Sequence, residues 1–190
     1  MSEFYEKEVE TLNNVQLGTN ETHRFGKNEE ATCLLSESTK LVLVGTMIPD
    51  IPFFYTGRNN SFYKWVDDRK GTYLNFWKQQ VNATTEPNKI AIDTIKKMCI
   101  KLGIAFLDIA KECYVKNNSS NDDDISCFVA DYQSFDLLKK FLLKTNLKII
   151  TTSSNAQKAL KHIFGIDSKV VNLTRRPKRS DWYPIIDEYL

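Results

Sequence analysis

Two adjacent amides, Asn59-Asn60, stand between Gly57-Arg58 and the aromatic start of a helix at Phe62-Tyr63. Upstream lie the aromatic pair Phe54-Tyr55 and a turn stiffened by Pro49 and Pro52, with Asp50 between the prolines. Aromatic faces stack on flat rings, and each such contact with a base contributes ~1–3 kcal/mol. A carboxamide offers a donor and an acceptor side by side, the complement of a lactam edge. Before these residues runs Leu41-Val42-Leu43-Val44, which ends at Gly45 as a buried strand should. Residues 41–65 therefore read as a strand feeding a pocket wall suited to a flat polar ring, and a nucleobase is the ring expected.

Other chemistries lack their residues. A dinucleotide fingerprint needs three closely set glycines, and Gly45 stands alone until Gly57; no phosphate-loop Gly-Lys-Ser/Thr occurs. The two histidines, His23 and His162, have no ligand-spaced partner. His162, near Leu160 and Phe164 in a helical pattern, is expected to be structural. No nucleophile elbow supports a Ser–His–Asp arrangement. The four cysteines, Cys33, Cys99, Cys113 and Cys127, include no Cys-x-x-Cys pair, so buried thiols are expected. Neither a metal nor a cofactor is called for. A net charge of +2 is small, yet Lys169, Arg175, Arg176, Lys178 and Arg179 fall within residues 169–179 without an acid. Such a stripe either holds phosphate or is a solvated loop.

The elements that would position these residues alternate. Short apolar runs at Leu41–Thr46, Ile104–Ile109, Lys148–Thr152 and Lys169–Leu173 read as buried strands. Helical patterns occupy Ser61–Gln80, Asn88–Leu102, Ser134–Leu143 and Asn155–Phe164. Crossovers of that length imply a four-stranded parallel sheet with helices on both faces, a three-layer α/β/α sandwich. Ligands in such sheets bind beyond the carboxyl ends of the strands. The post-strand segments 46–60, 110–127, 152–155 and 174–182 then form one candidate site, with Asn117–Asp124 a turn-rich loop. At 190 residues, 42% hydrophobic and 26% charged, the chain fits one domain over residues 1–190, of which 1–20 form a peripheral or frayed extension. No apolar run approaches the roughly 18 residues of a membrane span. The charged start lacks a signal-peptide segment, so a cytoplasmic monomer is expected.

The loop after the first strand, Gly45-Thr46-Met47-Ile48-Pro49, then Phe54-Tyr55 and Gly57-Arg58-Asn59-Asn60-Ser61-Phe62-Tyr63, resembles the uracil-DNA glycosylase superfamily. The branch it is most similar to is the hypoxanthine- (deoxyinosine-) DNA glycosylases and their bacterial relatives. Members show a Gly-small-x-Pro loop, a Tyr-Tyr pair and an Arg-Asn-x-Phe-Trp segment at this spacing. Weaker likenesses are His23-x-Phe25, Leu107-Asp108-Ile109, Ser120…Asp124-x-Ser126, Ile150–Ala156 and Val171–Thr174, so the resemblance covers roughly residues 23–185.

The resemblance implies a monofunctional glycosylase of base excision repair that hydrolyses the N-glycosidic bond of uracil or hypoxanthine in DNA. Such an enzyme takes the base out of the stack, at a few kcal/mol of unstacking. By carry-over, Asn60 or Asn59 recognises the base or positions water, and Phe54 and Tyr55 stack on the ring. Gly45, Thr46, Pro49, Arg58, Ser154 and Thr174 line the substrate pocket, while Arg175, Arg176, Lys178 and Arg179 hold DNA. Most branches place Asp or Asn just before the motif proline, but Met47 and Ile48 stand there; Asp50, one residue past it, either orients water or caps the turn. Leu173-Thr174-Arg175-Arg176-Pro177 replaces the family's Pro-Ser or His-Pro-Ser loop, without a histidine to support the leaving base. Two other readings stand beside this one: a non-catalytic nucleic-acid-binding relative, and a hydrolase of free nucleosides or nucleotides.

Overall fold

A segment apolar at every position, such as residues 41–44, buries both faces only inside a sheet covered on both sides. The computed structural model describes residues 23–27, 34–47, 61–71, 89–116, 122–143, 146–173 and 177–190. Among them are seven strands: β1 (His23–Lys27), β2 (Leu41–Gly45), β3 (Ile104–Asp108), β4 (Ala110–Lys116), β5 (Ile125–Ala130), β6 (Lys148–Thr151) and β7 (Lys169–Val170). Five α-helices accompany them: α1 (Phe62–Lys70), α2 (Lys89–Leu102), α3 (Tyr132–Leu142), α4 (Ser154–Phe164) and α5 (Arg179–Tyr189). The fold is mixed α/β.

All four expected strands form one parallel sheet of order β3-β2-β6-β7. Leu41 to Val44 are fully buried at its centre. The register sets Leu41 beside Ile104 and Lys148, and Gly45 beside Asp108. Gly103 makes this start possible. Its carbonyl accepts from the backbone N–H groups of Lys40 and Leu41 at 2.8 and 3.0 Å, and its φ of +75° reverses the chain from α2 into β3. A Cβ there would lie 2.6 Å from the Ser38 carbonyl oxygen, so only glycine fits.

The helices bury one stripe each, with spacings of three and four. In α1 the stripe is Phe62, Tyr63, Trp65 and Val66; in α4 it is Ala156, Ala159, Leu160 and Phe164. Aromatics on one helical pattern, here Phe62, Tyr63, Trp65 and Trp77, are expected in the core more than in a site; Phe62, Tyr63 and Trp65 are buried, and Trp77 lies outside the described residues. Helix α3 begins two residues before its expected start because the Asp131 side chain caps it, accepting from the Ser134 N–H at 3.2 Å.

Segment 110–127 is corrected. It is not one post-strand loop: β4 and β5 pair antiparallel, and β1 joins β4, giving a second sheet of order β1-β4-β5. The signal was hidden by a bulge. Ala110, Cys113 and Val115 are buried, an alternation that changes phase at Lys111, where the register slips between Ala110 and Glu112. Asp122–Asp124 form a short 3-10 turn before β5.

Segment 174–182 is also corrected, because residues from Arg179 onward belong to α5. Pro184 sits inside that helix and reads in sequence as a breaker. Burial of Trp182, Ile185 and Ile186 outweighs it.

Candidate functional site

The strands of a parallel sheet all end at one edge, so their post-strand residues become neighbours whatever their sequence separation. Here backbone bonds continue past the strand ends. Ile109 N–H donates to the Gly45 carbonyl at 3.1 Å and Ala110 N–H to that of Thr46 at 2.9 Å. Thr152 N–H donates to the Val44 carbonyl at 3.0 Å, and Val171 N–H to that of Thr151 at 2.9 Å. Gly45, Thr46 and Ser154, three of the expected pocket residues, thus belong to one edge.

Their exposure differs. Thr46 is 5% exposed and sits in the floor, whereas Ser154 opens α4 and is exposed. Ser153 caps that helix, its hydroxyl accepting from the Ala156 N–H at 3.0 Å. Thr151 and Thr152 turn their hydroxyls to the scaffold: Thr152 Oγ1 donates to the Val44 carbonyl at 3.4 Å, and Thr151 Oγ1 to that of Lys169 at 3.3 Å. Segment 152–155 is therefore half cap and half helix, not a free loop.

Met47, the first of the two residues before Pro49, is a core residue, 8% exposed, while Ile48, directly before the proline, lies outside the described residues. The Cys113 thiol meets its sulfur at 3.7 Å, so position 47 joins the two sheets. Its apolar character is a packing requirement at that junction. The buried-thiol expectation holds for Cys99 and Cys113; burial pushes the Cys99 thiol pKa up, partly offset by a hydrogen bond with Tyr63.

Ten expected site residues lie outside the described residues: Pro49, Asp50, Phe54, Tyr55, Arg58, Asn59, Asn60, Thr174, Arg175 and Arg176. The described ends of both segments that carry them meet at Trp182. This side chain is fully buried, and its indole Nε1–H donates to the Asn172 carbonyl at 2.9 Å. Phe62 packs edge-to-face on it, with centroids 5.3 Å apart. Asn172 precedes Thr174 by two residues, and Phe62 follows Asn60 by two. In sequence Trp182, close to the basic stripe, reads equally as a core lid or as a DNA-facing wedge; its full burial makes it a core residue.

Lys178 and Arg179 are exposed at the start of α5. Arg179 lies over the Tyr183 ring at 5.6 Å, and Arg69 of α1 lies over the same ring at 4.5 Å. The Tyr183 hydroxyl donates to Asp68 at 3.1 Å, and Arg69 pairs with Asp187, its Nε–H donating to Oδ1 at 2.9 Å and its Nη2 also contacting Oδ2. That bond holds the Asp187 carboxyl below its ordinary range, and desolvation raises the Tyr183 hydroxyl, with Asp68 adding to it. Helix α1 is thus tied to α5 at its far end as well as at Trp182.

Two residues stand outside the expected site residues. Trp182 had a visible signal, an aromatic three residues after the basic stripe, but its partners are 10 and 120 residues away. Asp108, 2% exposed and register-paired with Gly45, is a buried carboxylate at the edge itself. Its signal was an acid closing an apolar strand. His162 is exposed in the last turn of α4, where an imidazole suits the helix terminus.

Among the described residues no group of three or more His, Cys, Asp or Glu side chains is arranged to hold a metal ion, and no helix is long and apolar enough to cross a membrane. Comparison of the chain with family models, with curated proteins and with solved structures finds no match in any of the three.

Proposed function

We propose that this chain is a monofunctional DNA glycosylase of the uracil-DNA glycosylase superfamily, built as a three-layer α/β/α sandwich. It hydrolyses the N-glycosidic bond of uracil or hypoxanthine in DNA. One observation carries the reading: the segments flanking Asn59-Asn60 and Arg175-Arg176 converge on Trp182, beside a parallel sheet whose carboxyl edge holds Gly45 and Thr46. A base pocket and a phosphate grip must share one end of the molecule, and these contacts support that.

In this reading the extruded base stacks on Tyr55 and Phe54, and the Asn60 or Asn59 amide pairs with its lactam edge. Bases lacking that edge leave polar groups unpaired and are rejected. As the glycosidic bond breaks, the pair of electrons leaves with the base and positive charge builds on the sugar, where water adds. Fixed dipoles and the placed water supply the stabilisation. Arg175, Arg176, Lys178 and Arg179 hold the phosphates, with Pro49, Arg58, Ser154 and Thr174 shaping the pocket. Asp50 orients water.

A second reading is a nucleic-acid-binding relative without turnover, because Met47 and Ile48 stand where most branches of the superfamily carry an acid or amide before the motif proline. Oligonucleotides carrying uracil, hypoxanthine, xanthine or a G·T mismatch, incubated with protein and then cleaved by alkali, decide between them. Strand breaks at one lesion that vanish in Asn60→Ala or Asn59→Ala are expected. Salt-sensitive binding with no breaks on any substrate would establish the second reading.

A further inference from the structure

The parallel sheet has a second edge, where its strands begin. There the starts of β6 and β7, the end of α3 and the turn after α4 enclose an open groove of about 890 Å³. Its floor is apolar, made by Leu142, Leu147, Ile149, Phe164 and Ile166. Phe164 stacks face-to-face on Phe135, with centroids 4.0 Å apart and planes 13° from parallel. Leu143 forms the lip and is 89% exposed, the largest exposure of any big apolar side chain among the described residues.

Three of the four charged side chains lining the rim are basic. Lys139, Lys148 and Lys169 line it, and the single acid there, Asp167, is neutralised from outside by Lys161 at 2.7 Å. Lys139 has only a 3.8 Å contact with Asp136, and Lys148 lies 5.4 Å over the Tyr189 ring. Strand β7 is terminal in the described sheet, paired on one side by β6. An extended chain can add to such an edge through its main chain while its alternate side chains enter a trough.

We propose that this groove docks an extended acidic peptide segment of a partner protein, with two or three large apolar side chains on the floor and carboxylates facing the lysine rim. Opposite charge sets the register along the rim, and β7, terminal among the described strands, offers main-chain groups to a peptide that a simple amphiphile, using the floor alone, would not engage.

Fluorescence anisotropy with three short labelled peptides, alternating Asp/Leu, Lys/Leu and Asp/Ser, tests this. Only the Asp/Leu peptide is expected to bind, less tightly as salt is raised. The Lys139→Glu/Lys169→Glu double variant should weaken it about tenfold, and Leu143→Ser should weaken it too. All three positions are exposed, so circular dichroism and thermal midpoint should be unchanged. Amide NMR shifts should centre on Ser168 to Val170. Equal binding of the Lys/Leu peptide, indifference to the variants, or shifts elsewhere would overturn the proposal. So would saturation of the same residues by oleate or phosphatidylglycerol vesicles with no peptide binding.

Discussion

Trp182 shows how one side chain ties distant segments together. It buries a large ring, donates its only proton to the Asn172 carbonyl and presents a face to the edge of Phe62. Trp182→Phe keeps an aromatic in the core but leaves that carbonyl without the indole donor and opens a gap beside Phe62. Urea unfolding should register a loss of about 1–3 kcal/mol. If the proposed function is right, excision falls further than stability alone accounts for, because both flanking segments loosen. The exposed pair Arg69–Asp187 behaves differently. Asp187 has a folded pKa below its ordinary 3.8, so its contribution is present above about pH 4 and is lost as pH falls through the lower folded value. Thermal midpoints of Asp187→Asn should therefore lie slightly below the parent at pH 6 and converge on it as pH falls from about 4 through the lowered folded pKa, the gap at pH 6 closing in high salt.

Among the elements, the four parallel strands and the helices between them were legible because each carries its own period. Leu41–Val44 is uniformly apolar and two-sided, and α4 repeats its apolar residues at three and four. Elements that depend on a local exception were not. The bulge at Lys111 breaks the alternation of β4, and Pro184 disguises α5. The helix-to-strand reversal at Gly103 is the counterpart, a position where one atom decides an element. Gly103→Ala must hold φ at +75° and displace the Ser38 carbonyl from 2.6 Å, so a loss of more than ~1 kcal/mol is expected in chemical denaturation. Gly165→Ala, also at positive φ but with nothing within 4 Å of its Cβ, separates the two contributions and should lose less.

At the level of the whole molecule, a parallel sheet gives two chemically distinct ends. The carboxyl edge holds Gly45, Thr46, Asp108 and Ser154, and the amino edge holds the lysine-rimmed groove. Binding at one end should leave the other open. A saturating Asp/Leu peptide is expected not to displace uracil- or hypoxanthine-containing DNA in a gel-shift competition, whereas excess unmodified DNA should displace it. The residue chemistry of the proposed base pocket, the basic stripe and the parallel-sheet strands were legible in the sequence itself, because stacking faces, amides, charges and short apolar runs are local properties. Tertiary structure alone decided that Met47 belongs to the junction of two sheets, that Trp182 is a core tie, that β4 and β5 pair antiparallel and that three lysines line one groove. Each of these joins residues far apart in the chain, and such encounters are chosen by packing, which no local pattern records.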